Sequence, residues 1–266
     1  MKHICLDLHA EYAELAALAG GLTPAQWTAP TSFYGWTAYD EIAHLCLFDD
    51  LAVLAATDAA AFVAQRTELE AQLAQGRQIS EIARERFAHL RGVQLLNFWR
   101  TRYSKLVGLL EVLNPKARLP WFGPDMSARS FATARLMETW AHGQDVYDVL
   151  RRPREPSARL RHIAHLGVAT FQWTFANRSL PLPVVAPYVE LTGPGGDLWC
   201  WGAPSQTDFV RGTAQDFCLV VTQRRHYTDT ALAVGGKIAV DWLQLAQCFA
   251  GPAADGPAPG VRNLVY

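Results

Sequence analysis

The stretch that most constrains this chain runs from Ser127 to Arg152, SARSFATARLMETWAHGQDVYDVLRR, and reads as one amphipathic helix. Inside it Glu138 and His142 stand four residues apart, so a carboxylate and an imidazole share one face, a turn apart. Met137, Trp140 and Ala141 surround the pair with apolar bulk. A buried acid and base are costly unless they pair with each other or bind a metal. The pattern therefore has two readings, a Glu–His pair on a helix surface or two ligands of a metal site.

A metal is held by at least three protein ligands, and a catalytic site keeps a further position open. With two donors on one helix, the third should come from a facing helix of a bundle. Among the histidines, His44 lies mid-helix between Ile42, Ala43, Leu45 and Phe48, a setting that faces inward. His89 follows Glu85 but sits amid Arg84, Arg86 and Arg91, an exposed charged face; His162 and His165 lie beside Arg159 and Arg161. His44, Glu138 and His142 are the best trio by environment. Spacing alone does not settle it, because Asp40–His44 and Glu85–His89 match the same template.

The rest of the chain supplies the bundle. Residues 3–19 carry Ile4, Leu8, Tyr12, Leu15 and Leu18 at helical spacing, and Gly20-Gly21 stops them. Thr37, with Asp40 three residues on, reads as a capped helix start leading through His44 to Leu54. Asp58–Gln75 forms another helix, and Ser80–Leu113 a long one broken or kinked at Gly92. Lys116–Met126, KARLPWFGPDM, is too rich in proline, glycine and aromatics for either regular element and reads as a loop at a pocket rim or a plug. A helix from about Ser157 to Phe175 follows. Pro181, Pro183 and Pro187 then mark a change of texture. Strands at Tyr188–Leu191 and Leu198–Trp201 join through GPGGD, Asp208–Arg211 reads as a third strand, and Thr213–Gln223 and Lys237–Phe249 as helices; Gly251–Tyr266 reads as an extended tail. The expected fold class is α+β: a four-helix bundle with extra helices over 1–180, then a small α+β domain over 181–266.

Two segments resemble a known family. LAGGLTPAQW with GWTAYDEIAHL, and METWAHGQDVYDVL, whose core is an E-T-W-x-H-G-x-D run, are similar to the two motifs of the DinB-like superfamily, in the branch of proteins like mycothiol-dependent maleylpyruvate isomerase. The resemblance implies a divalent metal held by His44, Glu138 and His142, most often zinc, with water in the remaining positions; nickel, iron(II) and manganese(II) also suit the donors. TDFVRGTAQDFCLVVTQRR resembles the small sterol-carrier-like domain of the same proteins and places a functional arginine at Arg224 or Arg225, whose guanidinium would grip a substrate carboxylate; a solvated helix end is the plain alternative. Asp145 is a candidate for orienting a ligand imidazole, and Trp36, Trp121, Phe122 and Trp140 for walling the pocket. Where the isomerase type often reads P-G-W before its first motif, this chain has Tyr34-Gly35-Trp36.

The function implied is a metal-dependent enzyme, an isomerase or thiol transferase, acting on a small electrophilic or carboxylated molecule with a low-molecular-weight thiol. A metal-assisted hydrolase or lyase would use the same trio. A non-enzymatic metal- or ligand-binding protein is the competing class, and a fourth side-chain ligand such as Cys46 or Asp145 would favour it. With net charge -1 and no basic run, composition argues against nucleic acid and anionic membranes as partners. No apolar stretch reaches the length of a membrane span. Five scattered cysteines and no visible signal peptide fit a cytoplasmic protein, and a homo-oligomer is left open.

Overall fold

Thr37 and Asp40 close a capping box at the start of the helix that carries His44: the Thr37 hydroxyl accepts from the Asp40 N–H, and the Asp40 carboxylate accepts from the Thr37 N–H at 2.9 Å. In the computed structural model, which describes residues 1–262, the helices in order are α1 (Lys2–Gly20), α2 (Pro24–Trp27), α3 (Ala38–Thr57), α4 (Ala59–Ala74), α5 (Ile79–Arg86), α6 (Gly92–Val112) and α7 (Ala128–Val149). The long helix expected over 80–113 is thus two helices. Gly92 opens the second because the Trp27 ring packs against its backbone: a Cβ there would lie 2.6 Å from that ring.

Helices α1 and α3 each pack against both α6 and α7, which makes these four a bundle; α4 and α5 flank α3. Its centre is apolar, with Leu8, Leu15, Ile42, Leu45, Leu51, Leu95 and Trp99 almost wholly buried. Each such side chain contributes about 1.5–3 kcal/mol by leaving water. Arg84 of α5 reaches the Asp40 cap with two donors, Nε at 2.8 Å and Nη2 at 2.7 Å, and so fastens the start of α3.

The segment expected to be an irregular loop forms a β-hairpin instead, β1 (Arg118–Trp121) against β2 (Gly123–Ser127), irregular between Leu119 and Trp121. Gly123, at φ 112, makes the tight reversal that the composition had suggested was mere loop. Trp121 anchors the hairpin, stacked on Phe62 at 5.6 Å between centroids and edge-on to Phe131 at 4.7 Å.

The chain separates into two compact units at Arg152/Pro153 rather than near residue 180. The expected helix of residues 157–175 is split into α8 (Leu160–Ala169) and α9 (Phe171–Ala176), and α8 belongs to the second unit because it packs on α10 (Ala214–Val221). That unit holds a four-stranded sheet in the order β4-β3-β5-β6: β3 (Tyr188–Thr192), β4 (Leu198–Trp201), β5 (Phe209–Thr213) and β6 (Ala233–Gly235), with α11 (Lys237–Leu245) after it. β3 pairs antiparallel with β4, as the GPGGD turn suggests, and parallel with β5. β6 is a strand that the polar, glycine-ended RRHYTDTALAVGG did not announce. Val189, Leu191 and Val210 are fully buried on one side of the sheet. The architecture is α+β, as expected. Of the C-terminal tail, 263–266 lie outside the described residues. Among those described, no helix is long and apolar enough to cross a membrane.

Candidate metal centre

Two helices of the bundle bring three donors together. His44 projects from α3, and Glu138 and His142 from α7, so that one ligand atom of each lies within 4.8 Å of the other two. The two imidazoles lie 4.4 Å apart between centroids, and His142 Nε2 is 3.3 Å from Glu138 Oε2. Three donors of two imidazoles and one carboxylate, on rigid helices, suit a divalent cation. Glu138 keeps 24% of its side chain exposed while His142 is almost fully buried, so the cluster is closed on one side and reachable on the other.

The other face of His142 was not anticipated from the sequence. Its Nδ1 lies 2.6 Å from Glu41 Oε2, and the Glu41 carboxylate is wholly buried. Glu41 precedes His44 by three residues and so lies one turn away on α3. Asp145, the residue expected to orient an imidazole, joins Glu41 and His142 in a second buried group whose ligand-type atoms lie within 4.8 Å of one another. Cys46 is fully buried and stands outside both groups, and burial, then Asp50 and Asp49, push its thiol well above its usual range.

Aromatic rings box the cluster. Trp36 stacks on His142 at 5.8 Å with 11° between planes and tilts over His44 at 5.2 Å. Phe33 meets His142 edge-on at 5.7 Å, and Phe48 lies 4.7 Å from His44. Phe122 and Trp121 extend this wall from Phe48, and Trp140 is buried. Phe48 was named from the sequence only as a helix neighbour of His44, and Phe33 not at all, since one aromatic among many gives no signal until its loop is folded. Trp36 is delivered by a turn with Tyr34 at φ 51 and Gly35 at φ 71. Proline is locked near φ −65°, so the turn of this chain is one that a P-G-W sequence cannot adopt.

Arg224 and Arg225 follow α10 in the second unit. Both are buried, at 3% and 6% exposure, so neither is a solvated helix end. Their Nη1 groups donate to the Thr222 and Arg224 carbonyls, each at 2.8 Å.

A two-histidine, one-carboxylate cluster between facing helices of a four-helix bundle, followed by a small α+β unit, defines a DinB-like protein. Residues 8–147 match the family model of the mycothiol maleylpyruvate isomerase N-terminal domain, and the chain belongs to that family. Two uncharacterized proteins of Mycobacterium tuberculosis, from strains CDC 1551 / Oshkosh and ATCC 25618 / H37Rv, are each 43% identical over 250 residues, covering 94% of this chain and 96% of theirs. The crystal structure of mycothiol-dependent maleylpyruvate isomerase is similar with a TM-score of 0.54 and 12% identity, over 82% of this chain and 87% of that one. A histidine-to-alanine mutant of that isomerase gives a TM-score of 0.55 at 11% identity over the same shares. At these identities the likeness speaks for the fold.

Proposed function

We propose that this protein is a metal-dependent enzyme of the maleylpyruvate isomerase-like kind, an isomerase or thiol transferase for a small electrophilic or carboxylated substrate. The observation that carries the reading is the convergence of His44, Glu138 and His142 within 4.8 Å, with an aromatic wall on one side and partial exposure on the other. His44, Glu138 and His142 would hold the divalent cation, zinc first among the candidates. A cation there supplies Lewis acidity and lowers the pKa of a thiol or water that ligates it.

The chain's own groups do the remaining work. Phe33, Trp36 and Phe48 exclude water from around the imidazoles and offer flat faces to an unsaturated substrate. Arg224 or Arg225 supplies a guanidinium for a substrate carboxylate. The thiol reading draws on the isomerase for which the family is named, which is mycothiol-dependent. A structural metal is the weaker reading: such a site is closed by four protein ligands, and among the described residues neither Cys46 nor Asp145 joins the group of His44, Glu138 and His142.

The test starts with protein purified without chelator and analysed for metal. Stoichiometric metal in the wild type, lost in His44→Ala and His142→Ala, supports the assignment; retention in both variants overturns it. The loaded protein is then given an electrophilic, double-bonded dicarboxylate with and without a low-molecular-weight thiol. Turnover only with the thiol supports the isomerase or transferase reading, and turnover without it moves the assignment to a hydrolase or lyase.

A further inference from the structure

We propose that Glu41 is a positioning residue for the metal centre: it holds the proton of His142 on Nδ1 and turns Nε2 toward His44 and Glu138. The inference rests on the metal reading above and adds to it a residue outside the ligand trio.

The geometry is specific. An imidazole has two nitrogens, and the hydrogen bond made by one decides what the other can do. Here Nε2 faces Glu138 at 3.3 Å and Nδ1 faces Glu41 at 2.6 Å, so the ring lies between the metal cluster and a buried carboxylate. A carboxylate with no exposed surface is costly to keep unless its oxygens are engaged. Oε2 takes the imidazole, and Oε1 lies 3.2 Å from the Thr31 hydroxyl. Thr31 is itself fixed: its N–H donates to the Trp36 carbonyl at 2.6 Å, and its hydroxyl oxygen accepts from the Phe33 N–H at 3.2 Å. The loop that supplies Phe33 and Trp36 to the imidazole thus also clamps the carboxylate behind it.

A carboxylate accepting from the outer nitrogen of a ligand histidine fixes the tautomer and raises the basicity of the inner nitrogen, and losing such a partner typically weakens metal binding about 10–100-fold. The competing use of the same atoms is a second metal on Nδ1, Glu41 and Asp145. A separation of 2.6 Å is a hydrogen-bond distance, and the positioning role is the one it favours.

The experiment measures Zn2+ affinity by chelator competition for the wild type and Glu41→Gln, together with the ring nitrogens of His142 by 15N NMR in the wild type. Expected are one zinc per chain, an affinity about 10–100-fold weaker in Glu41→Gln with the melting temperature of its metal-free form near that of the wild type, and a proton on Nδ1 in the zinc-loaded wild type. Equal zinc affinity in the two proteins, or a bare Nδ1, overturns the proposal; so do two zinc ions per chain. If Glu41→Gln does not fold, the Nδ1 measurement on the wild type decides. Zinc bound by the wild type with no effect of Glu41→Gln sinks this inference alone, whereas no zinc on the wild type sinks the metal reading beneath it.

Discussion

Arg135 donates from Nε to Oδ1 of Asp49 at 2.9 Å across the bundle, joining α7 to α3 through a pair almost without exposure. Tyr12 of α1 donates to the same oxygen at 2.6 Å, and Trp99 of α6 donates to Oδ2 at 2.8 Å. One carboxylate thus ties all four bundle helices, at the position next to Phe48 and five residues beyond His44. Burial pushes the Asp49 carboxyl up, while Arg135, Tyr12 and Trp99 pull it back; burial works against the Arg135 charge too, but the attraction of Asp49 and its neighbours keeps that guanidinium firmly protonated.

Removing one member of such a pair strands the other. Arg135→Met is expected to cost about 3–5 kcal/mol, because Asp49 is left as an uncompensated buried charge. The double variant Arg135→Met with Asp49→Leu should regain much of that loss. Urea unfolding followed by tryptophan fluorescence measures both; a single variant within about 1 kcal/mol of the wild type would show that the pair does not tie the helices.

Stability should fall at high pH. Burial, then the charge of Asp49, raises Tyr12 well above the ordinary tyrosine value near 10, and burial, then Cys248, raises Cys218 well above the ordinary cysteine value near 9. Both folded-state values exceed the unfolded ones, so each contribution is whole below the unfolded pKa and is lost as pH rises toward the folded one. The unfolded chain releases these protons first, and the slope approaches about 1.4 kcal/mol per pH unit for each group. Unfolding free energies from pH 8 to 11 should therefore decline above about pH 9. The decline above pH 10 should be shallower in Tyr12→Phe, and an unchanged slope would contradict the role of Tyr12.

Tyr34→Pro should disturb the candidate site without touching a ligand. Proline cannot reach φ 51, so the turn that brings Trp36 over His142 must rearrange. The expected result is a shifted tryptophan emission spectrum and weaker zinc binding, whereas Tyr34→Gly should retain both. Wild-type affinity in Tyr34→Pro would show that the turn does not govern the aromatic wall.

Arg224→Lys and Arg225→Lys should separate substrate binding from metal binding. Lysine keeps the charge but loses the fork that grips a carboxylate. Metal content should stay at the wild-type level in both, and affinity for a small dicarboxylate should fall about tenfold in the variant that removes the functional arginine, the worth of a charged hydrogen bond. If neither changes dicarboxylate binding, the guanidinium role is lost.

The helix over 128–149, the Thr37–Asp40 cap and the inward setting of His44 were legible because each is a local property of one helix, although the first is buried nearly all round rather than amphipathic. Local order places Glu138 and His142 on one face, and the two motifs similar to the DinB-like family supplied the third donor. The hairpin at 118–127 was not legible, since its strands are short and held by Trp121 packing on Phe62 and Phe131 rather than by alternation.

The sequence by itself determined the main helices of the bundle, the family and three candidate ligands, all matters of period and motif. Only tertiary structure decided that Glu41 stands behind His142, a contact spanning 101 residues, and that Asp49 gathers donors from three other helices. The physical reason is that a carboxylate on a helix carries no mark of its partner. Whether it meets water, a guanidinium or an imidazole depends on which helix packs against its face.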